Sequence, residues 1–322
     1  MLKLLALDRF TILLVTMVIL ATFFPVSGQI AHYFNILTTI AIAILFFLHG
    51  AKLSREAVLE GMMHWKMHAL VFAFTFAIFP VIGLLARPVL EPLLGQPLYW
   101  GFLFMCFLPS TVQSSIAFTS MAKGNVAAAV CSASFSNIIG MFITPILVSY
   151  FILGQSQHGF DPTKSIIQIT LLLLVPFVLG QLFRPYIFPY MVKVPSIVKA
   201  FDQGSILMVV YGAFSSAVVA GLWHQVSGLT LLYLVLACSV LLTIIMLLAL
   251  YVPKWLGFNQ ADQVTIFFCS SKKTLASGVP MAQILFIGQP LGMIVLPIMI
   301  FHQIQLMVCG VIANHWAKSK QE

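Results

Sequence analysis

Ten times along the chain there recurs an apolar run of about 20 residues, long enough to cross a hydrocarbon core of about 30 Å as a helix. The first five runs are Phe10–Phe24, Phe34–Gly50, His68–Ala86, Trp100–Met121 and Val126–Leu153. The second five are Ser165–Phe183, Gln203–Trp223, Leu229–Val252, Asp262–Phe286 and Leu291–Trp316. Only 7% of the residues are charged and 61% are hydrophobic, a balance that excludes a water-soluble globular domain and makes lipid the main solvent. The predicted fold is therefore an all-α polytopic membrane protein with ten transmembrane helices. The first run follows Asp8 and Arg9 and ends at Phe24-Pro25 without a small-residue cleavage pattern, so it reads as a span rather than a removable leader. The five cysteines all lie inside apolar runs with no CxxC spacing, which points to buried thiols and not to a disulfide framework or a zinc site.

Lysine and arginine placement orients the spans, because cytoplasmic loops carry the excess. With both termini inside, twelve of the 16 basic residues fall on the inner side and only Arg87 and Lys164 on the outer side. The net charge of +8 is then a topology signal plus contact with anionic headgroups, and nucleic acid is not an expected partner. The segment Ala51–Met67 has the pattern of an amphipathic helix lying on the inner surface, with a solvated linker as the competing reading.

Five spans per half make the halves antiparallel in the membrane, as in transporters built from inverted repeats. The predicted halves are residues 1–156 and 157–322. Their clearest internal match pairs Ser110–Ala122 (STVQSSIAFTSMA) with Ser270–Ala282 (SSKKTLASGVPMA), each within the fourth span of its half. Both segments are rich in Ser, Thr and Pro. Proline removes a helical hydrogen bond, and the carbonyls it frees need polar side chains, ions or water. Two interrupted helices at equivalent places point to a lined cavity; a single one would read as a structural kink.

Within the second segment, Lys272 lies ten residues beyond Asp262, about 15 Å into the span and near the bilayer centre. A central lysine costs about 2.5–3.5 kcal/mol on insertion scales, so it faces water or a partner and marks function. Lys273 beside it adds repulsion, and both can line one cavity only if the helix is broken there. The competing reading puts the pair in a cytoplasmic loop between two short hairpin helices. No Asp or Glu falls at the centre of any span, with Asp202 and Asp262 expected at span starts. Lysines without carboxylates favour an anionic or polar solute held by cationic and hydroxyl donors. A lysine charge can also neutralise carbonyl dipoles where helices break, a task a bound sodium ion performs elsewhere. The candidate solute-binding residues are Lys272, Lys273, Gln113, His302 and Gln303. The candidate ion-binding residues are Ser114, Ser115, Ser132, Asn137, Ser270 and Ser271, with Gln305, Ser134 and Ser136 as further polar lining. Taken singly, a Ser or His in a membrane helix more often satisfies a backbone or interhelical bond.

The run SMAKGNVAAAV (Ser120–Val130) after a Pro-interrupted span resembles the GN-containing crossover of the bile acid:sodium symporter family. FFLHGAKLSREA (Phe46–Ala57), SSKKTLASGVPMA and LPIMIFHQIQL (Leu296–Leu306) are similar to its divergent branch, the relatives of the seventh member of solute carrier family ten, bacterial versions included. The resemblance implies a bacterial inner membrane protein with a panel of spans 1, 2, 6 and 7. Its core would be spans 3, 4, 5, 8, 9 and 10, of which spans 4 and 9 break and cross. It also implies Na+ as the bound ion, no other cofactor being expected. The family's Glu and Gln ligand positions fall here at Phe267 and Ser271, and its Ser and Thr positions at Ala129 and Ala133. That pattern argues against sodium coupling, and bile acids are not implied as the substrate.

The leading reading is a secondary transporter of an organic anion or other small solute by alternating access. The alternative is a non-transporting membrane regulator of calcium homeostasis. The chain lacks HExxH, an intramembrane acidic pair and a serine elbow, so an enzyme is not expected.

Overall fold

The computed structural model describes residues 9–52, 64–155, 175–219, 221 and 226–319. Among them there is no β-strand. Six helices are long and apolar enough to cross a membrane: α2 (Gly28–Lys52), α3 (Trp65–Leu85), α7 (Val126–Phe151), α10 (Pro195–Val219), α11 (Gly228–Trp255) and α14 (Leu291–Ser319). α1 (Arg9–Phe23) is apolar and shorter. The fourth and ninth predicted spans each appear as two half-helices, α5 (Gln96–Phe107) with α6 (Gln113–Met121), and α12 (Gln260–Ser270) with α13 (Leu275–Leu285). α4 (Arg87–Leu94), a helix α8 over 175–182, and α9 (Arg184–Lys193) complete the set.

The ends of these elements are written in local chemistry. Asn125, Ser227, Asn259 and Thr274 each accept a backbone N–H three residues on, capping α7, α11, α12 and α13. Pro88, Pro97 and Pro185 sit in the first turns of α4, α5 and α9, where the missing N–H is harmless. In α3 a π-helical turn at Phe74–Ile78 precedes Pro80.

Most boundaries match the apolar runs, but the seventh span does not. It was expected at Gln203–Trp223 and runs instead from Pro195 to Val219, so Lys199 and Asp202 lie on the helix. Asp202 is thus about two turns in rather than at the start, and its charge is tolerated because the Lys52 ammonium of α2 pairs with it. The sixth predicted span falls partly, and the predicted surface helix at Ala51–Met67 mostly, outside the described residues.

Apolar side chains cover the outside. The outer face of α11 shows Leu229, Leu232, Leu236, Val240, Leu247 and Tyr251, the surface of an integral membrane protein whose solvent is acyl chain. All five cysteines are buried. α1 and α2 pack on α10, and α2 meets α8 at van der Waals limits. There, a Cβ on Gly50 would lie 2.0 Å from the Phe177 carbonyl oxygen and one on Gly180 1.9 Å from that of Phe47. Small residues at such a crossing let backbones approach, as is common between membrane helices. α5 packs along α14, where Gly101 leaves no room for a side chain against Ile294.

Candidate functional site

The two broken helices cross antiparallel. At one face the Asn125 N–H donates to Ala261 O (3.2 Å) and to Thr265 Oγ1 (2.9 Å), and its side-chain amide donates to Asp262 (3.0 Å), tying the end of α6 to the start of α12. Gly124 is required in that junction, since a Cβ would meet Thr119 and Val264 at 2.7 Å. In the middle the Thr274 N–H donates to Pro109 O (3.0 Å), so the breaks themselves are joined through the backbone.

Each interrupted helix leaves carbonyls without intrahelical donors, and several of these acquire partners from neighbouring elements. Thr144 donates to Phe107 O (2.8 Å) and the Asn137 amide to Ser110 O (2.7 Å). Ser110 donates to Cys269 O (2.6 Å) and Ser115 to Phe268 O (3.2 Å). Gln305 of α14 pairs with the Lys273 backbone in both directions at 2.9 Å, accepting from its N–H and donating to its carbonyl.

Both lysines lie in the non-helical break between α12 and α13 and are fully buried, so the break is part of the protein interior and not a solvated loop. They diverge rather than lining one cavity. The Lys273 ammonium donates to three main-chain carbonyls, Thr75 (2.8 Å), Cys106 (2.8 Å) and Leu108 (2.7 Å), and lies 4.2 Å from the centre of the Phe79 ring. Three acceptors within hydrogen-bond distance match the three N–H donors of an ammonium group. Cys106 and Leu108 end α5 at the break. Thr75 belongs to the π turn, in which the Phe79 N–H reaches back to Phe74 O, and the next donor in that register would be Pro80, which has none. The Lys272 ammonium donates to Ser114 O (2.8 Å) and sits over Phe118 (4.0 Å) and Phe268 (5.2 Å). Neither ammonium has a carboxylate partner; the ion pairs among the described residues are Lys52–Asp202 and Arg87–Glu91.

The other candidate residues are distributed around this crossing. Ser114 and Ser115 share Thr111 Oγ1 (2.7 and 3.1 Å). Asn137 also accepts from Ser277 (3.3 Å). Ser136 accepts from the Ser110 N–H (3.1 Å), and Ser132 lies 2.6 Å from His68 Nδ1. Ser271 is buried 4.0 Å from Cys309 Sγ, and Ser270 is buried with its hydroxyl lacking a partner. His302 Nδ1 is 2.9 Å from the Gln305 amide, and Gln303 is half-buried on the same helix. Gln113 is exposed, on a face of α6 shared with Ala117 and Ser120. Small and polar residues there, with exposed Met121 beside them, contrast with the leucine-rich face of α11. At the positions the family resemblance assigns to sodium ligands, Ala129 and Ala133 offer methyl groups and Phe267 offers a ring packed on Trp316, so these side chains supply no oxygen to a metal ion.

Across the molecule from Asn125, a cleft of about 640 Å³ opens between α2, α10 and the α13–α14 junction. Asn35, Ser216, Gln283 and Gln289 line it together with Phe286 and Ile287, and no charged side chain does.

A membrane-embedded helical protein whose polar centre is made by two broken helices has the build of a secondary transporter. The chain belongs to the SBF-like CPA transporter family (DUF4137), whose model matches residues 8–318. It is 52% identical to the uncharacterized protein PA2026 of Pseudomonas aeruginosa, over 98% of this chain and 94% of that protein. It is 50% identical to "Putative symporter YfeH" of Escherichia coli, over 98% of this chain and 95% of that protein. With the rat sodium/bile acid cotransporter 7 it shares 29% identity over 88% of this chain and 84% of the relative.

Sequence reasoning located the two breaks and the lysine pair but missed the cage around Lys273. Pro80 was the available signal: like Pro109, it frees a carbonyl in a neighbouring span.

Proposed function

We propose that the protein is a secondary transporter of a small organic anion, working by alternating access around the crossing of α5–α6 with α12–α13. The observation that carries this reading is the pair of buried ammonium groups with no carboxylate partner. An anion held about 8 Å from one such charge gains about 2 kcal/mol at an effective dielectric constant of 20, whereas a cation would be repelled by as much. Gln113, Ser114, Asn137, His302 and Gln303 are the polar groups proposed to orient the solute, with Lys272 supplying charge from beneath the α6 face. The cleft at Asn35–Gln283, together with the exposed polar side of α6, supports a carrier whose centre can be reached from the two faces in turn.

The proposed topology is ten spans in two inverted halves, both termini on the cytoplasmic side of a bacterial inner membrane. The packing of α1 and α2 on α10, and of α2 on α8, supports a panel against which the crossing helices move.

Detergent-purified protein melted against a panel of mono- and dicarboxylates, sulfonates and amphiphilic sterol acids tests the reading, because a ligand of the native state raises the melting temperature. At least one anion should stabilise the protein and be taken up into proteoliposomes. Its effect should fall at least about tenfold in apparent affinity in Lys272→Gln, the size of a lost charged contact of about 1.4 kcal/mol. Stabilisation by organic cations instead would reject the proposal.

A further inference from the structure

The geometry points to Lys273 as a covalently tethered cation, filling a built monovalent-cation site of three main-chain carbonyls and one aromatic face so that the crossing needs no free metal ion there. Every component of such a site is present. Thr75, Cys106 and Leu108 converge their carbonyls on one point at 2.7–2.8 Å from the ammonium nitrogen, and the Phe79 ring closes it at 4.2 Å. Two of these carbonyls end α5, where the helix dipole presents negative charge. The third is the one that the π turn and Pro80 leave without a donor. A buried carbonyl left unpaired in this way is costly, and three aimed at one point require a cation or a cluster of N–H donors. The charge arrives on a side chain from the other broken helix, so it also pins α13's leading end to α3 and α5. Of the positions that the family resemblance assigns to sodium ligands, Ala129, Ala133 and Phe267 carry no side-chain oxygen and Ser271 keeps a hydroxyl. The inference does not depend on which solute is carried; it concerns what holds the crossing together.

Lys273→Ala removes Cγ, Cδ, Cε and Nζ, the atoms of n-propylamine, and leaves the carbonyl cage in place. The variant is expected to melt well below wild type. Propylammonium chloride should recover about half or more of the lost melting temperature, methylammonium less, and choline chloride at equal ionic strength none, since choline has no N–H to donate. Wild type and Lys272→Ala should show no such response. Lys273→Met, which keeps the volume and drops the charge, should be destabilised yet not rescued. Should Lys273→Ala fail to fold, wild type still decides: its melting temperature should be the same in sodium, potassium and choline chlorides. Specific stabilisation of wild type by sodium, or a Lys273→Ala protein as stable as wild type and indifferent to propylammonium, would overturn the proposal. An anion screen that found no solute would leave this result standing, so the two readings fail separately.

Discussion

At the scale of single residues, the centre of the protein is a problem in satisfying main-chain oxygens without water. Gln305 shows how narrow the solution is. Its amide is fully buried and closes both hydrogen-bonding groups of the Lys273 peptide. Gln305→Leu would keep the size and leave a buried N–H and a buried carbonyl unpaired, at about 1–3 kcal/mol each. The expected result is a melting temperature lower than that of wild type and lower than that of Gln303→Leu, whose side chain is half-buried. Equal melting of the two variants would show that the bidentate pairing contributes nothing. The importance of the lysines was legible in the sequence because an amine so deep in an apolar run has few bland explanations. Their separate destinations were not legible. Which carbonyl meets which ammonium is set by the crossing of four half-helices, a long-range contact that no local spacing encodes.

At the scale of elements, helix ends and crossings follow simple rules, and the sequence read them unevenly. Pro109 and the Ser/Thr clusters announced the breaks in the fourth and ninth spans. The start of α10 was read eight residues late because Lys199 and Asp202 look like loop residues until the pairing of Asp202 with Lys52 is known. Glycines divide just as clearly once the packing is in view. Gly180→Leu would drive a side chain into the backbone of α2 at Phe47, whereas a Cβ at Gly204 on α10 meets nothing within 4 Å. Gly204→Ala should therefore leave the fold intact and raise stability by up to about 1 kcal/mol through lower chain entropy. Gly180→Leu should lose monodisperse protein on size-exclusion chromatography. Loss of both variants would mean that Gly204 has a packing role not visible in this conformation.

At the scale of the whole molecule, charge placement predicts which side is which. The proposed topology puts both termini inside, and the exposed face of α6 should then lie toward the cytoplasm. Because the native cysteines are all buried, Gln113→Cys offers a single reactive thiol in an otherwise silent background. A membrane-impermeant maleimide should label it in inside-out vesicles at least about tenfold faster than in right-side-out ones, thiol reaction following access. The opposite preference would invert the topology. The all-helical, membrane-embedded class was readable from composition and run length alone. The cleft was not, since it arises between helices from residues as distant as Asn35 and Gln283.

The ammonium of Lys273 is held by carbonyls of α3 and α5, so it cannot depart with a cargo as a dissolved ion would. In the proposed anion carrier, an anion aboard would offset part of this fixed charge and its release would restore it. Membrane voltage, worth about 2.3 kcal/mol per elementary charge at 100 mV, would then act more strongly on the empty form than on the loaded one.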